Sequence, residues 1–218
     1  MGGTPPGAKR LDYWFTVLAT DPVAAPLVRY LARRRWLTPD QVTIVALGLG
    51  ILAGVLFALG SRISLALGGV VFYLAFVADC VDGKLARATG ITSPKGEALD
   101  HLADGGRRAA AALGLAVYLW NAEGIARDRI WVAVVYIVLS YFFWEISGAR
   151  KGPAASGARG RWKEQLARHR LTPTPGMPDV QAVVYILGPI TGLVIAGFAV
   201  GTLMVAAAIL LTVWRRLR

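Results

Sequence analysis

DCVDGKLARATGITSPKGEALDHLAD, residues 79–104, decides the reading of this 218-residue chain. Asp79 and Asp82 close one apolar run, and Asp100 and Asp104 open the next. On helices, spacings of three and four residues put both members of each pair on one face, about a turn apart. Ionisable groups inside membrane segments are costly, and carboxylates turned toward one another repel unless a cation stands between them. The stretch therefore predicts a divalent metal site where two membrane helices meet. Oxygen-only ligands favour magnesium, manganese or calcium over zinc, and magnesium commonly completes its shell with substrate phosphates. A phosphorylated or diphosphate substrate is implied.

The rest of the composition agrees with a membrane setting. Of the residues, 56% are hydrophobic, and several charge-free runs are long enough to cross a hydrocarbon core of about 30 Å. The expectation is an all-α integral membrane protein. The formal net charge of +11 sits in the segments between apolar runs, which fits cytoplasmic anchoring against anionic headgroups and does not call for nucleic acid. Cys80, the single cysteine, excludes an intramolecular disulfide and a cysteine-ligated zinc, and reads as a small apolar residue on a buried helix. The opening MGGTPPGAKR lacks the apolar core of a signal peptide, and Pro6 stands where a myristoylation signal needs Ser or Thr.

In chain order, residues 1–37 read as a cytoplasmic N-terminus with an interfacial amphipathic helix. Asp21 and Pro22 give its start, and Val23, Leu27, Tyr30 and Leu31 fall on one side. Thr38, Pro39, Asp40 and Gln41 give a second helix start of capping-box form. Residues 38–218 then read as a domain of six transmembrane helices: 42–60, 63 into the acidic stretch, a third from near Gly96, 130–146, and two more within the charge-free run 180–214, turning near 192–197. Gly50 and Gly54 form a small-residue pair, a weak signal for close helix approach. Residues 149–178 form a basic cytoplasmic loop, with a short interfacial helix within 162–171. An even number of spans puts both termini and the acidic stretch on the cytoplasmic side of the plasma membrane and leaves Arg62, Arg127 and Arg129 outside.

Individual residues suggest roles. Gly83 and Gly96 permit close approach of a ligand or backbone, and Arg87 offers a planar donor to phosphate. Asp104, deepest of the four in its helix, is best placed to take a proton from an incoming hydroxyl. Arg108, one turn beyond, has two readings, a ligand for an anionic acceptor or a partner for Asp104. His101 points about 100° away from Asp100 and so toward a partner or lipid. Glu97 belongs at the rim; Lys84, Lys95 and Arg170 read as interfacial charge, His169 as solvated, and Glu145 as a snorkelling or paired residue.

Asp79, Asp82, Gly83, Ala86, Arg87, Gly96, Asp100 and Asp104 reproduce, gap for gap, a signature of eight fixed positions. In this the chain resembles the CDP-alcohol phosphotransferase family, and the LTPDQVT segment resembles that family's entry to its first membrane helix. The resemblance implies transfer of a phosphoryl-alcohol group from a CDP-linked alcohol, CDP-diacylglycerol among the candidates, to an acceptor hydroxyl, with release of CMP. It implies two Mg²⁺ or Mn²⁺ ions on Asp79, Asp82, Asp100 and Asp104, with Asp104 also the general base. It implies a CDP site at Gly83, Ala86 and Arg87, with Thr38, Pro39, Asp40, Gln41 and Ser93, and a homodimer. Where members similar to phosphatidylinositol-phosphate synthases tend to carry arginine after the last aspartate, this chain has Gly105, which speaks against an inositol-phosphate acceptor. Two other classes compete: a membrane prenyltransferase holding a metal-bound diphosphate, and a small cation-coupled transporter. The glycine and Ala-Arg positions speak against the first, and the lack of a second copy of the motif against the second.

Overall fold

The computed structural model describes residues 6–122, 124, 128–147 and 161–217. Its helices are α1 (Asp21–Arg34), α2 (Pro39–Ala58), α3 (Arg62–Thr89), α4 (Pro94–Asn121), α5 (Ile130–Ser147), α6 (Arg161–Arg168), α7 (Met177–Gln181), α8 (Gly188–Thr191) and α9 (Val194–Leu217). A π-helical turn, Thr16–Thr20, leads into α1, and another, Ala182–Leu187, joins α7 to α8 so that 177–191 runs as one helical rod. Among the described residues no strand forms, although Asp12 and Leu171 make an isolated bridge.

Among the described residues, four helices are long and apolar enough to cross a membrane: α2, α3, α5 and the Val194–Trp214 part of α9. That is fewer than the six expected. The third expected span, α4, has the length, at 28 residues, but carries Asp100, Asp104, Arg107 and Arg108. The first half of the 180–214 run is the rod 177–191, which ends at Gly192 with φ +79°. There the Arg62 guanidinium donates to the carbonyl of Pro189 at 3.0 Å and to that of Ile190, placing a cation at a helix C-terminus, where backbone carbonyls lack intrahelical partners. Arg127, Arg150, Lys151 and Arg159 lie outside the described residues.

The bundle is organised around α2, which packs along both α3 and α4, while α3 and α4 touch each other sparingly. Lipid is as apolar as leucine, so helices in a bilayer are held by close packing more than by a hydrophobic drive. Gly50 and Gly54 supply that closeness within this chain. A Cβ on Gly50 would fall 2.8 Å from Arg107 Cβ, and one on Gly114 would fall 2.7 Å from the Gly54 carbonyl carbon. The main core, with Phe57, Phe72, Leu115, Tyr136, Tyr185 and Phe198, fills the middle of the bundle.

α1 packs on α3 through Ala24 and Val28, against Val77, Val81 and Leu85. Of the side expected to be apolar, Val23, Leu27 and Tyr30 are exposed, while Leu31 packs against the α1–α3 cluster. α1 begins at Asp21 with Pro22 in its first turn, as expected, and Asp21 does more than open the helix. It is also a buried hub, 3.0 Å from Lys84 Nζ and 2.8 Å from Arg170 Nη1. Lys84 and Arg170, expected as interfacial charges, therefore cross-link α1, α3 and the segment after α6. Backbone bonds from Asp12 N to Arg170 O (2.8 Å) and Thr172 N to Asp12 O (3.0 Å) extend the same clamp.

The α2–α4 crossing should tolerate no added methyl group. Gly114→Ala is expected to lower stability by about 1–3 kcal/mol, measured by thermal unfolding in detergent. Gly48→Ala, where a Cβ meets nothing within 4 Å, should leave stability unchanged or raise it by up to about 1 kcal/mol through helix propensity. Equal effects of the two would contradict this packing.

Candidate active site

α3 ends and α4 begins beside the N-terminus of α2, and this junction brings the acidic residues together. Three local signals fix it. Thr38 caps α2, accepting from Gln41 N at 3.3 Å while Gln41 Oε1 accepts from Thr38 N at 2.9 Å. Gly90 ends α3 in the left-handed conformation, φ +71°. Ser93 caps α4, its Oγ accepting from Gly96 N at 2.9 Å. The sequence reading started the third span near Gly96; the cap sets the helix start at Pro94.

A cavity of about 430 Å³ opens there, lined by Pro39, Asp40, Thr43, Asp82, Gly83, Ala86, Arg87, Ser93, Gly96, Glu97 and Asp100 among others. Six of the eight residues expected at a CDP site are on its wall: Pro39, Asp40, Gly83, Ala86, Arg87 and Ser93. Thr38 and Gln41 are not, because each spends its side chain on the other's backbone. Arg87 is pinned, its Nε donating to Gly7 O at 2.6 Å, and its Nη1 lies 3.3 Å from where a Cβ on Gly83 would be. Gly96 is needed for a similar reason, since a Cβ there would fall 2.9 Å from Asp40 Oδ1.

The four motif aspartates are not equivalent. Asp82 is buried, with Oδ2 accepting from Thr43 Oγ1 at 2.7 Å and Oδ1 without a hydrogen-bond partner among the described residues. Asp79 Oδ1 and Asp104 Oδ1 lie 3.1 and 2.7 Å from one atom, Arg107 Nη2. Asp104 Oδ2 lies 2.5 Å from Arg108 Nη1, so the partner reading of Arg108 is the one realised here. Its guanidinium also lies 4.3 Å from the Trp144 ring centroid, which approaches His101 on another side at 5.3 Å. His101 thus lies against Trp144 of α5 while staying exposed.

As the side chains stand, no three of the described His, Cys, Asp and Glu residues form a ready ligand shell. The donor set nevertheless fits a divalent cation. Two carboxylates from different helices already converge on a cationic nitrogen, and the neighbouring Asp82 keeps a buried oxygen unpaired. Both are what a hard, oxygen-seeking ion requires.

Sequence reasoning missed two residues. Thr43 lies four positions past Pro39, one turn along α2, and nothing in the motif marks it. Arg107 was legible: Asp100, Asp104 and Arg107 follow the i, i+4, i+7 spacing of a single helical stripe.

An all-helical membrane architecture with an acidic, glycine-spaced signature at a shared helix junction defines a class, and comparison assigns it. Residues 36–214 match the family described as CDP-alcohol phosphatidyltransferase, so the chain belongs to that family. It is 34% identical over 158 residues to a bifunctional IPC transferase and DIPP synthase of Rubrobacter xylanophilus, covering 72% of this chain and 32% of that protein. A protein of the same description from Thermococcus kodakarensis is 40% identical over 67 residues, 31% of this chain and 15% of that one. The chain thus spans about a third of the length of the first of these relatives. The same fold occurs in the phosphatidylinositol phosphate synthase PgsA1 of Mycobacterium tuberculosis. The manganese and citrate complex gives a TM-score of 0.61 at 24% identity, over 88% of this chain and 89% of that one. The CDP-DAG complex gives 0.60 at 24%, over 89% and 92%.

The division between capping and site residues is testable. Thr38→Ala should cost about 1 kcal/mol of stability and leave Mn²⁺ affinity, followed by titration, unchanged. Thr43→Val should weaken Mn²⁺ binding about tenfold or more. The reverse pattern would make Thr38 a site residue and Thr43 a packing one.

Proposed function

We propose that this chain transfers a phosphoryl-alcohol group from a CDP-linked alcohol to an acceptor hydroxyl, releasing CMP, with Asp79, Asp82, Asp100 and Asp104 holding two divalent ions. The observation that carries this reading is the meeting of the two acidic pairs beside a cavity walled by Gly83, Ala86 and Arg87. When bound, Mg²⁺ or Mn²⁺ supplies charge neutralisation for the diphosphate and for the leaving oxygen.

The chain's own residues do the rest. Arg87, held by the Gly7 carbonyl, offers its outer nitrogens to phosphate without an ordering cost at each turnover. Gly83 and Ala86 keep α3 slim, so that a nucleotide lies close against the helix. Asp104 takes the acceptor's proton. The acceptor oxygen forms a bond to the phosphorus that carries the alcohol, the bond from that phosphorus to the bridging oxygen breaks, and CMP leaves with that oxygen. Arg108, paired with Asp104 and lying over the Trp144 ring, would have to release that carboxylate to receive an anionic acceptor.

The setting proposed is a plasma membrane crossed six times, with both termini and the cavity cytoplasmic. A 28-residue α4 is about 42 Å long, and its buried Arg107 is paired with aspartates, which lowers the cost of burying charge. The remaining crossing would fall to the rod 177–191, which at about 22 Å is shorter than a hydrocarbon core of about 30 Å. The exposed face of α1 fits an interfacial helix. A homodimer belongs to this reading through the family likeness, since Gly50 and Gly54 serve packing within the chain. CDP-diacylglycerol is a donor candidate because PgsA1 was captured with CDP-DAG; the polar alcohol remains to be chosen by assay. Family membership sets aside the prenyltransferase and transporter readings.

Membranes containing the protein, given Mg²⁺, labelled CDP-diacylglycerol and a panel of polar alcohols, should yield labelled lipid and CMP with one acceptor. If the lipid is the acceptor, the product should instead appear from soluble CDP-alcohols with unlabelled membranes. Undiminished product in excess chelator would contradict the metal requirement. Asp104→Asn should abolish turnover while nucleotide binding persists; normal turnover would remove Asp104 as the base.

A further inference from the structure

Arg107 has the environment of a working part. Its side chain is 1% exposed, deep between helices. Its guanidinium lies 5.5 Å from the Phe72 ring centroid and 5.4 Å from that of Phe76. Gly50 makes room for its stem. A buried guanidinium normally satisfies most of its five N–H donors, yet Nε and Nη1 have no hydrogen-bond partner among the described residues. Its Nη2 donates to Asp104 of α4 and is ion-paired with Asp79 of α3 at the same time.

With Arg108 on the other oxygen, both oxygens of Asp104 are engaged by cations. Two cations cannot crowd the same oxygens without strong repulsion, so a divalent ion and the Arg107 guanidinium compete for Asp79 and Asp104.

We propose that Arg107 is an internal counter-cation of the acidic site: it latches Asp79 to Asp104 in the metal-free protein and is displaced from them when divalent metal binds. The metal-free chain thereby avoids a cluster of unneutralised carboxylates. Metal affinity is set by the exchange of one cation for another, so Arg107 is a positioning residue that acts through the aspartates. The proposal rests on the metal-site reading above, and its failure is separable from the failure of that reading.

The test uses the full-length protein in detergent micelles. Mn²⁺ binding is followed by the electron paramagnetic resonance of the free ion, and thermal unfolding is recorded with and without chelator, for wild type, Arg107→Gln and Arg107→Lys. Arg107→Gln should bind Mn²⁺ about tenfold tighter, the scale on which groups around a ligand tune a metal site. It should also unfold at a lower temperature than wild type in chelator and recover more of the difference on adding Mn²⁺. Arg107→Lys, which keeps the charge on a compact head, should fall between the two. Equal or weaker Mn²⁺ binding in Arg107→Gln overturns the latch. Absence of Mn²⁺ binding to wild type overturns the metal site itself.

Should Arg107→Gln not fold, wild type alone decides. Infrared difference spectra with guanidino-¹³C arginine should show a shifted guanidinium C–N stretch when Mg²⁺ is added. An unchanged band in protein that binds the ion overturns the proposal.

Discussion

Four carboxylates from two helices meet at one end of this bundle, and their mutual repulsion is the constraint around which the rest is arranged. At an effective dielectric constant near 20, two unit charges 4 Å apart still interact by about 4 kcal/mol, so the cluster exists only with cations among it. In the structure those cations are arginines. Arg107 joins Asp79 to Asp104, Arg108 closes the other side of Asp104, and Thr43 supports Asp82. Placing Arg107 there requires Gly50 opposite it, and the α2–α4 contact that follows requires Gly54 and Gly114. Electrostatics at the site and packing along the membrane helices are thus one problem solved by one set of residues.

A second charged system does a different job. Lys84, Asp21 and Arg170 are drawn together beneath the N-terminal segment, with Lys84 and Asp21 both buried. Removing one partner of such a group strands the others at a cost of about 3–5 kcal/mol, so the triad fixes α1 and the 169–172 segment against α3. Arg87, one turn beyond Lys84, reaches the carbonyl of Gly7. The N-terminal segment, which carries no motif, therefore holds a wall of the cavity in place.

Much of this was legible in the sequence, and what was missed has a physical reason. The helix cap at Thr38 and the periodicity of Asp100 and Asp104 depend on contacts within a turn or two, which residue spacing records directly, whereas the cap at Ser93 was not read from the sequence. The eight-position signature carried the family and most of the cavity wall. The partners of Asp21 were hidden because Lys84 and Arg170 come from distant parts of the chain, where isolated basic residues look like any interfacial charge. The direction of α1 was hidden for a related reason: Ala24 and Val28 are as apolar as Val23 and Leu27, and only tertiary packing decides which face meets α3. Arg107 completes the Asp100–Asp104 stripe by spacing, but spacing does not record that its guanidinium reaches across to Asp79 on α3.

The central claim is that the two acidic pairs share divalent ions at the α3–α4 junction. Anomalous scattering at the manganese edge from crystals grown with Mn²⁺ tests it most directly. The account predicts manganese peaks bracketed by Asp79, Asp82, Asp100 and Asp104, with the Arg107 guanidinium withdrawn from Asp104. Peaks elsewhere, or none at this junction in crystals soaked well above the dissociation constant, would contradict it.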